Sequence, residues 1–308
     1  MNQNQHTDSF HADAKRTFGR LRRFFFFAVL ILLSGRMPFH IFCQSLDGNG
    51  KREVYLPKEF AWQEVAEGIF RYDFKNISIP IVYHIIRIDL NMERSSPLKI
   101  LAYPAAGNAD VMPGSSFLPK RTEVFAKKSG CVVALNATPF AKDKERKKMV
   151  KPLGIHKTGG VSYSRPVGRY SALALTENPP SATIIRQQSA EVTLDYDFVF
   201  GGFFTILWEG EEVEFPTASF DSRTGAGVSA DGGTLYILSV EGERKEKSRG
   251  LSFQECAKIF KALGCSAAMQ FDGGSSSDLC VNGRSVLSYK VWHPQANSFG
   301  FAIATEEP

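Results

Sequence analysis

Several signatures that would assign a function outright are missing from this sequence. Its five cysteines, at 43, 131, 256, 265 and 280, include no pair at the short spacing of zinc sites, so the common zinc modules are excluded. There is no Gly-x-Ser-x-Gly elbow and no Walker-type loop, which removes the usual anchors of serine hydrolases and nucleotide hydrolases. No internal repeat is present. The body of the chain also lacks positive charge. Residues 1–36 hold six Lys and Arg against two Asp, which leaves 31 cations against 30 carboxylates in the remaining residues. A nucleic-acid ligand needs a basic stripe, so nucleic acid is set aside as a partner.

A long apolar run is missing too. Phe24 to Leu33 gives ten apolar residues between the cluster Arg20 to Arg23 and Ser34-Gly35-Arg36, whereas a spanning helix needs about twenty. A positive segment followed by a short apolar core is the layout of a secretory signal. The chain is therefore expected to be exported, to a periplasmic, secreted or envelope-tethered location. Membrane contact is expected only through residues 1–45 or through a lipid on Cys43, although Ile41 and Phe42 are bulky for a lipidation site. Residues 46–64 read as a polar linker, and 65–308 as a single catalytic domain. With Cys43 removed or lipidated, four cysteines remain. Buried free thiols are the simpler reading and one or two disulfides the other.

What is present is strand-rich. Ile77 to Leu90 and Leu98 to Tyr103 alternate or run in β-branched and aromatic residues, and Cys131 to Leu135 is a short buried-type run. Ala172 to Leu175, Thr183 to Ile185, Glu191 to Phe200, Leu235 to Val240 and Ala267 to Phe271 continue the pattern. A helix is expected between Ser115 and Gly130. A second, Ser252 to Leu263, has a capping box in Ser252 and Glu255, an apolar face through Phe253, Ala257 and Phe260, and a stop at Gly264. The expected fold class is α+β, with strand-rich mixed sheets covered by a few helices.

Three segments carry chemistry. Asp272-Gly273-Gly274-Ser275-Ser276-Ser277 places a carboxylate at a strand end, followed by backbone free of Cβ and a run of N–H and hydroxyl donors suited to an anion. Taken alone it reads equally as a surface turn. Arg223-Thr224, ahead of Asp231-Gly232, offers a guanidinium fork for phosphate oxygens, with a surface salt bridge as the plainer reading. Asn136-Ala-Thr138-Pro-Phe140 ends a buried strand in groups that could hydrogen-bond sugar hydroxyls, or simply make a turn. The basic run Lys142 to Lys148 reads as a solvated loop, with a grip on an anionic substrate as the sharper alternative. His84 lies in an apolar strand and reads as a core side chain, while His156 and His293 are uncommitted.

In order and spacing these segments resemble the phosphodiester glycosidase domain family. The resemblance begins near Glu67-Gly-Ile, passes through Tyr83 to Asp89, Asn136 to Phe140, Gly201-Gly202, Arg223 to Gly227 and Asp231-Gly232, and closes on Asp272-Gly-Gly and Asn297. It departs at Ser275, where the family usually has a third glycine, at Asp278, where it has Thr, and at His293, near a family Arg. The resemblance implies an exported hydrolase that releases a sugar from a carbohydrate phosphodiester; no cofactor is expected, no metal ligand is assigned, and the sequence does not give a metal requirement. It implies Asp272 as the carboxylate that activates water or attacks. Arg223 and the amides after Gly273, with Gly274, Ser276 and Ser277, would then hold the phosphate. Asn136, Asp231 and Asn297 would meet the sugar or hold the site together, and Thr138, Phe140, Gly202, Thr224 and His293 would complete the substrate-binding set. The competing expectation is a non-catalytic polysaccharide-binding protein on the same fold.

Overall fold

The computed structural model describes residues 53–105, 111–112, 116–295 and 297–304. The segment read as an export signal and Cys43 lie outside the described residues, which all fall within one compact unit, 44–308. No helix among them is long and apolar enough to cross a membrane.

Four sheets carry the fold, and every strand pairing among the described residues is antiparallel. The largest runs in the order Gln63–Ala66, Ile69–Asn76, Ile81–Asp89, Thr234–Val240, Arg223–Val228, Ala267–Gln270, Thr205–Trp208 and Glu211–Glu212. A five-stranded sheet has Val133–Asn136 at its centre, between Leu279–Val281 and Ser298–Ile303, with Arg284–Ser285 and Leu98–Tyr103 at the edges. A second five-stranded sheet orders Val161–Ser164, His156–Thr158, Phe198–Gly201, Ala172–Glu177 and Pro180–Ile185, and a small one joins Val111–Met112, Ser116–Phe117, Val150–Pro152 and Phe140–Lys142. The α+β, strand-rich expectation holds, with antiparallel rather than mixed sheets.

The main core lies where the three larger sheets turn their inner faces to one another. Ile86, Ile88, Ala226, Ile237 and Met269 from the first meet Leu135, Phe299 and Phe301 from the second and Leu173, Ile184 and Phe200 from the third. Side chains alternate along a strand, so Ile81, Tyr83, Ile85, Leu238 and Val240 face the other way, onto the helix Phe253–Ala262. Strands buried on both faces read as nearly continuous apolar runs, which is how they stand in the sequence. The helix docks closely because Gly227 leaves room for Phe260. A Cβ there would lie 2.4 Å from the Phe260 ring, and burying that ring contributes about 1.5–3 kcal/mol. The capping box forms as read: the Ser252 hydroxyl accepts from the Glu255 N–H at 3.2 Å, and the Glu255 carboxylate accepts from the Ser252 N–H at 3.0 Å.

Local expectations are corrected in three places, and the simpler reading of the cysteines holds. The helix expected from Ser115 starts only at Thr122, because Ser116–Phe117 pairs as a strand and Pro119 cannot sit inside a helix. It ends at Gly130 with φ +67°, as expected. The run Glu191 to Phe200 divides into a short 3₁₀ turn, Glu191–Thr193, and the strand Phe198–Gly201. The described part of the presumed linker packs rather than dangles, with Tyr55 and Leu56 buried in the helix-side core. Cys131, Cys256, Cys265 and Cys280 are all buried free thiols, so the disulfide alternative falls away.

Candidate functional site

Two sheets meet end to end where the strand Val133–Asn136 and the strand Ala267–Gln270 both terminate. The Asp272 N–H donates to the Ala137 carbonyl at 2.9 Å, and the Phe271 N–H to the Thr224 carbonyl at 2.8 Å. Asn136, fully buried, locks this junction. Its Nδ2 donates to the Asp272 carbonyl at 2.9 Å, while its Oδ1 accepts from the Thr224 hydroxyl at 2.8 Å and from the Asp278 N–H at 2.9 Å. Asn297 does the same one step along the chain. Its Oδ1 accepts from the Thr138 N–H at 2.7 Å, and its Nδ2 donates to His156 Nδ1 at 3.1 Å. Burial pushes the His156 pKa down to about 4. The ring is therefore neutral, with Nε2–H donating to the Pro104 carbonyl at 3.0 Å.

Asp272 sits at the open edge of this bracket. Burial pushes its carboxyl pKa up to about 6, against hydrogen bonds from the Ser276 hydroxyl and the Gly273 N–H, the latter at 3.2 Å. No cation contributes to that balance. Asp278, wholly buried, is also pushed up to about 6 by burial, although the Ser285 hydroxyl donates to it at 2.6 Å. The hydroxyls of Thr138 and Ser277 are buried with no protein partner among the described residues. The site thus offers one part-exposed carboxylate of raised basicity, a second, buried one tied to Asn136 through its N–H, and two buried hydroxyls without a partner among the described residues.

Several residues expected here are elsewhere or otherwise engaged. Arg223 and Thr224 are neighbours in one strand and so point to opposite faces. Thr224 reaches Asn136, while the Arg223 guanidinium stacks 4.2 Å from the Phe253 ring centre and donates to the carbonyls of Leu251 at 3.2 Å and Ser219 at 2.7 Å. The loop amides are largely engaged as well. The Gly274 N–H donates to the Ser222 carbonyl, and the Ser276 and Ser277 N–H groups to the carbonyls of Gly273 and Gly274. Gly202 is a packing glycine, since a Cβ would stand 2.1 Å from the Met269 methyl and 2.3 Å from the Gln270 carbonyl oxygen. Phe140 packs with Phe117 and Val150 under the small sheet. His293 is exposed on a loop, where its carbonyl accepts from Gln295 Nε2 at 2.6 Å.

Asp231 braces the turn Ser229 to Thr234, accepting from the Gly233 N–H at 3.0 Å. It lines a hollow of about 300 Å³ with Trp208, Thr183 and Ser266, at the far end of the strand Arg223–Val228 from Asp272. Five steps at about 3.3 Å each put some ~17 Å between the two ends. Asp278 and His156 were missed as parts of the junction. A carboxylate directly before the apolar Leu279-Cys280-Val281 was the available signal for Asp278; nothing local marked His156. His84 is the buried side chain its strand implied, held between two carboxylates. Burial opposes a charge on its ring, but its nitrogens hydrogen-bond Asp73 at 2.7 Å and Glu241 at 3.1 Å, and its pKa is raised. Among the described residues no three His, Cys, Asp or Glu side chains group to hold a metal ion.

The strand-rich antiparallel fold is shared by proteins of very different sequence. A protein from Synechocystis, of no stated activity, has a TM-score of 0.62 at 15% identity; the match covers 80% of this chain and 64% of that one. The catalytic domain of zebrafish N-acetylglucosamine-1-phosphodiester alpha-N-acetylglucosaminidase, auto-inhibited by its pro-peptide, has a TM-score of 0.55 at 20% identity, over 77% of this chain and 82% of that one. A protein of Burkholderia pseudomallei K96243 follows, with a TM-score of 0.51 at 13% identity, over 72% of this chain and 74% of that one. No curated protein matches the sequence. The phosphodiester glycosidase family matches residues 129–305, more than half of the chain, and the chain belongs to that family.

Proposed function

We propose that this protein is an exported hydrolase that releases a sugar from a sugar-1-phosphodiester in an envelope or secreted glycan. The observation that carries the reading is Asp272, a carboxylate with its pKa pushed by burial to about 6, held within the family segment at the seam of two sheets. A carboxylate so tuned is mostly ionised at neutral pH and is a stronger base than an ordinary Asp, so it can deprotonate water or attack the anomeric carbon. The departing phosphate monoester is a weak base and needs little protonation. The unpartnered hydroxyls of Thr138 and Ser277 are the groups we assign to bind substrate oxygens. Asn136 holds the carboxylate's segment in place, and Asn297 holds the adjoining segment Ala137-Thr138. The zebrafish relative is named for this bond. The basic cluster and apolar run of residues 20–33 support export.

The test is a panel of sugar-1-phosphodiesters with liberated sugar measured for the wild type and Asp272→Asn. The variant is expected to keep its melting temperature and lose at least ~10³-fold in turnover; equal turnover removes Asp272 from the chemistry. A second reading, a polysaccharide-binding protein without activity, draws on the engagement of Arg223 and the loop amides with backbone carbonyls. It predicts binding across the panel with no sugar released by either form.

A further inference from the structure

The segment Lys142 to Lys148 is not a loose surface loop. It closes a β-hairpin in which Phe140 pairs with Pro152, Ala141 with Lys151 and Lys142 with Val150. The hairpin springs directly from the site. Ala137 accepts from the Asp272 N–H, the Thr138 hydroxyl is one of the two left free at the junction, and the Leu153 N–H returns to the Pro139 carbonyl at 2.6 Å. At about 3.3 Å per residue the outgoing strand carries the chain about 10 Å from Pro139 to Lys142, and the tip lies beyond.

The tip is built around one buried carboxylate. Asp143 accepts from the Ser116 hydroxyl and from the N–H groups of Glu145 at 2.9 Å and Arg146 at 3.3 Å, with Lys151 at 3.6 Å. With Asp143 turned inward, Lys142, Lys144, Lys147 and Lys148 stand exposed. Among the described residues none of the four has a carboxylate within salt-bridge distance. Residues 140–152 hold six cations against two carboxylates, whereas the rest of 37–308 holds 25 against 28. The positive charge of the body is thus gathered on one hairpin whose base is the candidate site. A surface whose charge served solubility alone would spread it.

We propose that hairpin 139–153 is a phosphate-binding arm, and that the substrate is a polymer with repeated phosphodiesters whose next phosphates lie along the four lysines. This rests on the proposed chemistry at Asp272 and deepens it. An arm about 10 Å and more from the seam is too far for its ammonium groups to grip the scissile phosphate, which a hydrogen bond of about 3 Å would require, but suits phosphates farther along the same chain. An anionic membrane is the less favoured occupant, since a surface-docking patch has no reason to begin at the residues that flank the carboxylate.

The experiment measures binding of the full exported protein to long-chain inorganic polyphosphate and to vesicles of 30% anionic lipid, for the wild type, Lys142→Gln/Lys144→Gln/Lys147→Gln/Lys148→Gln and the corresponding four Lys→Arg changes. If four phosphates are neutralised, counterion release makes wild-type affinity for polyphosphate fall about 50-fold between 50 and 200 mM salt. The Gln variant is expected to bind at least tenfold more weakly with that slope largely abolished, the Arg variant to bind like wild type, and all three to melt together. Wild-type affinity unchanged in the Gln variant overturns the arm, as does binding to vesicles without binding to polyphosphate. Asp272→Asn separates the two proposals. Polyphosphate binding retained while neither it nor the wild type releases sugar leaves the arm standing and removes the chemistry.

Discussion

Replacing Asn136 by Ala tests the junction most severely. The carboxamide is fully buried and makes three hydrogen bonds, to the Asp272 carbonyl, the Thr224 hydroxyl and the Asp278 N–H. Its removal leaves three groups from three different segments without partners, and each buried unsatisfied group costs about 1–3 kcal/mol. Water entering the space of the lost side chain would recover part of this, so a net loss of about 3–5 kcal/mol is expected, a large share of the ~5–15 kcal/mol of a typical domain. At about 2–4 °C per kcal/mol the melting temperature falls by roughly 6–20 °C. Urea unfolding with an unchanged m-value is the assay. Asn136→Asp keeps two acceptors but turns an oxygen toward the Asp272 carbonyl, so it should fall between wild type and Ala. A loss below about 1 kcal/mol for Asn136→Ala would refute the claim that this side chain holds the sheets together at the site.

Gly202→Ala should cost more than about 3 kcal/mol or prevent folding, since the added methyl meets the Gln270 backbone at 2.3 Å; soluble expression and melting report it. Arg223→Gln should lower stability by about 1–3 kcal/mol while changing kcat/KM less than tenfold, because the guanidinium serves two carbonyls and a phenyl ring; a thousandfold loss of activity at unchanged melting would return it to the site. Asp272 and Asp278 both titrate near 6 in the fold, above the ordinary Asp value. The fold therefore binds their protons more tightly than the unfolded chain does, and they cost stability above about pH 6. That cost is relieved as pH falls toward 4. Relative to Asp272→Asn/Asp278→Asn, the wild type should gain stability over that window. His84 acts in the opposite sense. Its raised pKa gives stability that is complete below the unfolded value near 6.5 and lost as pH rises through the folded pKa, so the deficit of His84→Gln should shrink at alkaline pH.

The elements legible in the sequence were those set by local chemistry. The capping box of Ser252 and Glu255 and the stop at Gly130 are decided within one turn of chain, and strand pairs buried on both faces leave unbroken apolar runs. The chemistry of single polar residues was legible only by class. Asn136 and Asn297 were expected to meet sugar or to hold the site together, and their amides do the second, through backbone and side chains 88 to 159 positions away, partners that no local pattern names. Arg223 and Thr224 open one strand, Arg223–Val228. Once Arg223-Thr224 is read as strand, alternation forbids both from facing one site. Gly202 was read as a ligand contact when its missing side chain makes room for Met269, which only packing reveals.

The central claim is that Asp272 directs water to the sugar side of a glycosyl phosphodiester. Hydrolysis in ¹⁸O-labelled water, with the products separated and weighed, tests it directly. The label is expected on the anomeric hydroxyl of the released sugar, with no product from Asp272→Asn. Label in the phosphate, or equal product from the variant, would contradict it.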